Sequence, residues 1–229
     1  EVIPERLNDL DSILKAKKSG EIDISAENVV LMGHSLGALT AILASGVKID
    51  DQLENRCQKV LDNLSLSNLS SLLQCQLIDI TLPEREGIEN LSAIVGMNSF
   101  GSFLWEKNLD NQINIPFFLT GGTFDLVTPS ISEQLGLLIA LTSSPLSRVL
   151  LIEGASHFSP IRVEGQMYPS KGKDLFNLGE SIVGYHPLSV QSLLAFEIIS
   201  FLEKLEENKS IPSNTNLNKG ELKFHILDR

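Results

Sequence analysis

The chain has 229 residues, of which 42% are hydrophobic and 21% charged, and these values exclude a disordered tail or a fibrous repeat and predict one globular domain with a buried core. Lys and Arg total 18 against 29 Asp and Glu, and the resulting net charge of −11 disfavours nucleic acid and anionic membrane surfaces as partners. The sequence contains no uninterrupted apolar run of about 18 residues, so we predict no transmembrane segment.

Hydrophobic periodicity predicts helices and strands that alternate along the chain. The predicted helices cover residues 3–18, 36–46, 130–142 and 187–207. The predicted strands are short apolar runs and cover residues 28–32, 91–97, 115–119 and 148–152. Short apolar strands separated by helices are typical of an α/β fold with a parallel sheet.

Residues 47–90 interrupt this alternation with a polar, leucine-spotted stretch that contains Cys57 and Cys75. We predict an irregular helical insertion, which acts either as a lid over an apolar substrate or as a structural pair of helices bridged by the two cysteines. Two cysteines are too few for a four-ligand zinc site, and a bridge between them would favour an extracytoplasmic location. The domain is predicted to cover residues 1–207, and residues 208–229 to form a polar tail.

The string Gly33-His34-Ser35-Leu36-Gly37 lies between a predicted buried strand and a predicted helix. This context is typical of a nucleophile elbow, a tight turn that projects a serine hydroxyl above the sheet. Glycines two residues before and after the serine are expected to avoid collisions with the neighbouring strand and helix. The Leu36 amide, at the helix N-terminus, is positioned to stabilise an oxyanion. A glycine-rich turn with an idle serine is the alternative.

A serine hydroxyl needs a base and an orienting acid to become a nucleophile. Asp125 follows the apolar stretch 116–122, and His157 follows the predicted strand 148–152, so both are expected at the edge of the sheet that carries Ser35. Asp125 could instead only cap the turn that follows it.

The other histidines fit the role of base less well. His34 lies inside the elbow, His186 precedes a proline that begins a helix, and His225 lies in the predicted tail. No His, Asp or Glu cluster with metal-ligand spacing is present, so neither a metal nor another cofactor is predicted.

Three segments together resemble the α/β-hydrolase superfamily. They are Gly-His-Ser-Leu-Gly at 33–37, Phe-Leu-Thr-Gly-Gly-Thr-Phe-Asp-Leu-Val-Thr-Pro at 118–129 and Glu-Gly-Ala-Ser-His-Phe-Ser at 153–159. The chain is most similar to bacterial predicted dienelactone hydrolases, a group akin to platelet-activating-factor acetylhydrolases and cutinase-like polyesterases. The segment from Cys57 to Cys75 and the turn at 97–101 are further points of similarity. The resemblance implies a serine carboxylic-ester hydrolase with Ser35, Asp125 and His157 as its triad.

The chain departs from this family pattern before the elbow. Hydrolases of this fold have several strands before the nucleophile, and a loop after the third supplies a second oxyanion amide. Only one helix is predicted before Ser35, so the chain resembles the C-terminal part of such a fold, and its strand is expected to expose an edge and an apolar face. A catalytically silent hydrolase-like domain is therefore an alternative function, and a thioesterase or lipase with the same triad is another.

The predicted substrate is a small-molecule or lipid-like ester. Asn98, Phe100 and Trp105 follow a strand end beside the elbow and are candidate substrate-binding residues, with core packing as the alternative. The glycine-dotted connection 158–185 is a second candidate to line or cover the acyl site. The acyl preference and the oligomeric state do not follow from the sequence.

Overall fold

The structure is a computed structural model, and it describes residues 2–25, 27–62, 69–105, 112–161, 187–207 and 215–229. Within these ranges the strands are Val29–His34 (β1), Leu91–Met97 (β2), Phe117–Gly122 (β3), Arg148–Ile152 (β4), Thr215–Lys219 (β5) and Leu222–Asp228 (β6). The helices are Val2–Ser19 (α1), Leu36–Ala44 (α2), Leu53–Asp62 (α3), Leu69–Cys75 (α4), Gln134–Leu141 (α5) and Pro187–Glu206 (α6). None of the helices in the described ranges is both long and apolar enough to cross a membrane.

The six strands form one sheet in the order β1-β2-β3-β4-β6-β5. β1 to β4 are parallel to their neighbours, whereas β6 runs antiparallel to both β4 and β5. The α/β class and the parallel arrangement of the four predicted strands are confirmed. Because those four strands are parallel, their carboxyl ends meet at one edge of the sheet.

The observed strands differ from the predicted ones mainly at their ends. β2 and β4 have the predicted bounds, and β1 extends two residues further to include Gly33 and His34. β3 begins at Phe117 instead of residue 115. Pro116 explains this shift, because it has no N–H to donate to a neighbouring strand.

Alternating side chains of the sheet enter two separate hydrophobic cores. One core lies between the sheet and α1, α2 and α5, and its largest buried side chains include Leu7, Ile42, Ile94, Phe117 and Leu141. The other lies between the sheet and α6, and it includes Val95, Phe118, Leu150, Val190 and Phe201. The sheet is thus covered by helices on both faces, as the apolar character of β3 and β4 requires.

The predicted polar tail was wrong for residues 215–228, which form the β5–β6 hairpin at one side of the sheet. Leu222, Phe224 and Ile226 alternate along β6 and are buried in the core beneath α6. Gly220 makes the turn with a φ of 65°, which a glycine adopts without strain. Because Lys223 and His225 stand between the buried residues, the segment has a polar composition, and the composition alone does not indicate a strand. Residues 208–214 lie outside the described ranges.

The insertion at 47–90 contains the short helices α3 and α4, joined by a disulfide between Cys57 and Cys75 whose Cα atoms are 5.6 Å apart. Some of its polar contacts go to α1 and to Glu133, and others go to the segment after β2. The Arg56 guanidinium donates to the Phe103 and Leu104 carbonyls, and the Gln74 side chain accepts from the Phe103 amide. The insertion is thus a bridged helical pair, and the role of a lid stays a prediction.

β1 is an edge strand in the described part of the sheet, because β2 is its only partner there. Val30 and Met32 lie in register with Ala93 and Val95, which belong to the core beneath α6. Met32 is nevertheless 57% exposed and Val30 39%. The unpaired edge and exposed apolar face expected for this strand are both present.

Candidate active site

The turn from β1 into α2 holds Ser35 in an unusual backbone conformation. Its φ is 53° and its ψ is −117°, a combination that non-glycine residues rarely adopt. The Ser35 N–H donates to the Met97 carbonyl at 2.8 Å, which anchors the turn to β2. Ser35 occupies the N-cap position of α2, yet its hydroxyl makes no capping hydrogen bond to that helix. The hydroxyl is therefore available for another partner.

The two glycines of the elbow are not equivalent. A Cβ at Gly33 would lie 2.3 Å from the Gly37 carbonyl carbon and 2.5 Å from the Ala38 nitrogen, so a side chain there would displace the backbone of α2. Among the described residues, a Cβ at Gly37 would meet only the Arg6 guanidinium, at 3.8 Å. The predicted steric requirement holds for Gly33, but it was wrong for Gly37.

Ser35, His157 and Asp125 form a continuous chain of hydrogen bonds. The Ser35 Oγ lies 3.0 Å from His157 Nε2, and His157 Nδ1 lies 2.9 Å from Asp125 Oδ2. The residues come from the ends of β1, β3 and β4, at the common carboxyl edge of the parallel strands. Ser35 and His157 are 122 residues apart in sequence, and Asp125 and His157 are 32 residues apart. The fold brings both pairs within hydrogen-bonding distance.

The Asp125 carboxylate is fully buried and accepts hydrogen bonds from five donors. Oδ2 accepts from His157 Nδ1, from Asn98 Nδ2 at 2.6 Å and from Thr128 Oγ1 at 2.6 Å. Oδ1 accepts from the Val127 and Thr128 amides at 2.9 and 2.7 Å. Asp125 therefore caps its own turn and contacts His157 at the same time, so the two roles weighed from the sequence coexist.

These contacts keep the carboxylate ionised. Burial acts to raise the pKa of Asp125, but the hydrogen bond and electrostatic interaction with His157, together with the hydrogen bonds from Thr128, outweigh burial and lower it. An ionised acid next to His157 Nδ1 fixes the neutral imidazole with its proton on Nδ1. Nε2 is then left as an acceptor for the Ser35 hydroxyl proton.

His34 also contacts the histidine loop. Its Nε2 lies 2.7 Å from the backbone carbonyl of His157, and the two imidazole rings are 5.0 Å apart. Burial lowers the pKa of His34, which favours the neutral ring that donates this hydrogen bond through Nε2–H. The elbow is thus linked to the loop after β4 by a contact that the sequence did not predict.

The N-terminus of α2 leaves backbone donors beside Ser35. The Ser35 carbonyl accepts from the Ala38 and Leu39 amides. The Leu36 amide has no acceptor within the part of the chain that the structure describes, as expected for the first residue of a helix. The positive end of the α2 dipole lies at the same point.

The structure assigns other environments to the three predicted substrate-binding side chains. Asn98 is 1% exposed and donates to Asp125, so it belongs to the hydrogen-bond network of the acid. Phe100 and Trp105 are buried in the core beside α2, and the Trp105 Nε1–H donates to the Lys48 carbonyl. Core packing, the alternative weighed from the sequence, is what the structure has for both aromatic residues.

The remaining sequence candidates lie elsewhere. His225 is on β6, where Nε2 contacts Glu153 Oε1 at 2.8 Å. His186 and residues 162–185 of the predicted pocket connection lie outside the described ranges. No group of three or more His, Cys, Asp or Glu side chains suited to a metal ion occurs among the residues with described positions.

Sequence comparison adds no functional assignment, since no protein-family model and no curated protein matches the chain. The chemistry of the site follows from its own side chains.

Proposed function

We propose that the chain is a serine hydrolase of carboxylic esters that acts through an acyl-enzyme on Ser35. The hydrogen-bond chain from Ser35 through His157 to Asp125 carries this proposal, because nucleophile, base and acid stand in the order that acyl transfer requires. The positive φ of Ser35 supports it independently. A serine used only as a helix cap has no need of that conformation.

Each residue has one chemical role in the proposed reaction. Ser35 Oγ attacks the ester carbonyl while His157 Nε2 takes its proton, and the imidazolium then gives that proton to the departing alcohol. Water attacks the acyl-enzyme with His157 again acting as base, which releases the carboxylic acid and restores Ser35. Asp125 keeps the imidazole oriented and stabilises its protonated form throughout.

The Leu36 amide is the proposed donor to the tetrahedral oxyanion. It directly follows the nucleophile, and its N–H is not used by α2. The dipole of α2 adds positive potential at the same position. An alkoxide that develops next to Ser35 is stabilised by both.

Exposed apolar side chains beside the triad favour an ester with an apolar acyl or alkyl group. Leu126 follows the acid and is 84% exposed, Phe124 precedes it at 51%, and Phe158 follows the base at 39%. The loops that carry Phe124 and Phe158 are joined, because the Phe124 amide donates to the Ala155 carbonyl. We name Phe124, Leu126 and Phe158 the apolar rim.

The kinetic test is hydrolysis of a panel of p-nitrophenyl esters of graded acyl length. Ser35→Ala is expected to reduce turnover to the level of the uncatalysed reaction, because it removes the nucleophile. Ser12→Ala is the matched control, since Ser12 is an exposed serine on α1 whose hydroxyl donates to the Asn8 carbonyl in the same helix. Equal loss in both variants, or turnover by Ser35→Ala at the wild-type rate, contradicts the proposal.

The same panel tests the apolar rim. Leu126→Ser is expected to lower kcat/KM for long acyl chains more than for acetate, by roughly 10-fold, the low end of the range for lost apolar contact with a substrate. Ile199→Ser is the control, because Ile199 is 56% exposed on α6 and is not part of the apolar rim. A uniform loss across all chain lengths would remove the apolar rim from substrate binding.

A further inference from the structure

The contacts of Asp125 involve two side chains whose role in the reaction is separate from that of the triad. Asn98 Nδ2 and Thr128 Oγ1 each lie 2.6 Å from Asp125 Oδ2, the oxygen that also accepts from His157. Thr128 Oγ1 is 3.2 Å from His157 Nδ1 as well, so it lies beside the bond between acid and base. Both side chains are buried.

Asn98 and Thr128 are held to each other and to the sheet. The Asn98 backbone N–H donates to the Thr120 carbonyl at 2.7 Å, and the Thr128 hydroxyl lies 3.1 Å from the Asn98 backbone carbonyl. Asn98 has a φ of 48°, a left-handed conformation that asparagine tolerates better than most residues. Its side chain thereby turns inward from the end of β2 to the acid that follows β3.

The segment after Asn98 is also fixed by buried polar side chains. The Gln134 side-chain amide donates to the Ser99 carbonyl at 2.7 Å. The Glu133 carboxylate accepts from the Gly101 and Ser102 amides at 3.0 and 3.1 Å. Asn98 is therefore presented to Asp125 by a turn with little freedom to move.

We propose that Asn98 and Thr128 are positioning residues that orient Asp125 Oδ2 toward His157 Nδ1. This inference rests on the proposed function of the triad. The Val127 and Thr128 backbone amides hold Oδ1, and the two side-chain donors hold Oδ2 in the direction of His157. They also share the negative charge of Oδ2, so the acid remains ionised and accepts from the imidazole in one geometry.

Thr128 offers a matched pair of substitutions. Thr128→Val keeps the branched shape and removes the hydroxyl, whereas Thr128→Ser keeps the hydroxyl and removes the methyl group. Positioning by the hydroxyl predicts that kcat falls on the order of tenfold in Thr128→Val with KM unchanged, and that Thr128→Ser retains most of the turnover. A role in packing alone predicts the opposite order, and that order would overturn the proposal.

Asn98→Asp tests the second positioning residue without changing its shape. Two carboxyl groups at this distance share one proton, so the donor to Asp125 Oδ2 and the charge beside His157 both change with pH. The kcat/KM profile against pH is expected to change its shape. A reduced rate with an unchanged pH profile would make Asn98 a merely structural residue.

A spectroscopic measurement separates failure of this inference from failure of the proposed function. The His157 Nδ1–H proton, hydrogen-bonded to Asp125 Oδ2 at 2.9 Å, is expected to give a low-field proton resonance in NMR spectra recorded without substrate. It is expected to shift in Thr128→Val and to remain near its wild-type position in Thr128→Ser. That response without any Ser35-dependent esterase activity would refute the proposed function alone. Activity with no difference between the two variants would refute the positioning role alone.

Discussion

Gly33 gives a prediction whose size follows from the contacts of the elbow. In Gly33→Ala the new Cβ would lie 2.3 Å from the Gly37 carbonyl carbon, whereas ordinary contacts begin at 3.4 Å. The obstacle is backbone, so α2 and Ser35 must move by about 1 Å for the methyl group to fit. A displacement of that size at the nucleophile is expected to lower kcat by about 10²-fold, and the overpacking to cost about 1–3 kcal/mol of stability.

Gly37→Ala is the matched control on the other side of Ser35. Its Cβ would have no neighbour closer than 3.8 Å in the described part of the chain, and the residue lies in the first turn of α2. Alanine is favoured over glycine in a helix by up to about 1 kcal/mol, so this variant is expected to be as stable as the wild type or more stable, with its turnover preserved. Ester hydrolysis and urea unfolding of both variants are the assays. Wild-type turnover in Gly33→Ala, or equal damage in the two variants, would refute the steric account of the elbow.

Three further predictions concern the acid, the disulfide and His34. Asp125→Asn leaves His157 in the wrong tautomer and is expected to lower kcat by about 10⁴-fold in ester hydrolysis; an unchanged rate would mean that another group is the acid. Cys57 and Cys75 are 18 positions apart in sequence, and their disulfide closes the loop between them. Replacing both by Ser is therefore expected to lower the free energy of unfolding, measured in urea, by about 3 kcal/mol. An unchanged free energy of unfolding would contradict this prediction. Burial lowers the pKa of His34 from its ordinary value of 6.5. Below about pH 6.5 His34 is therefore protonated in the unfolded chain but still neutral in the folded chain. The free energy of unfolding consequently falls as the pH decreases from about 6.5 toward the pKa of the folded state. His34→Gln should flatten this part of the curve of stability against pH, and a curve that keeps its slope would exclude His34 as the cause.

The convergence of Ser35, Asp125 and His157 was predictable because each follows a strand end. Apolar runs precede Ser35, Asp125 and His157, and parallel strands bring their carboxyl ends to one edge. The bounds of β2 and β4 were predictable because interior strands of a parallel sheet are continuously apolar, so each strand appears in the sequence as one apolar run.

The roles of Asn98 and Thr128 depend on the register between strands, which no local pattern reveals. Asn98 was predicted to bind substrate, but its left-handed backbone turns the side chain toward Asp125. Thr128 carried one usable signal, because an aspartate side chain commonly accepts hydrogen bonds from the turn that follows it, and Thr128 lies in the turn after Asp125. Phe100 and Trp105 were ambiguous, since an aromatic residue after a strand suits a pocket and a core equally.

The β5–β6 hairpin was missed because its composition is polar. Only the alternation of Leu222, Phe224 and Ile226 indicates a strand with one buried face. The pairing of β6 with β4 is antiparallel, so it falls outside the alternation of strands and helices that predicted the rest of the sheet.

The most direct measurement of the central claim is the site at which a fluorophosphonate reacts with the protein. This reagent labels a serine only when a neighbouring base activates it, and mass spectrometry of the digested protein identifies the labelled peptide. A single adduct on Ser35, lost in His157→Ala, is the predicted result. An adduct on another serine, or no adduct on the folded protein, would contradict the account.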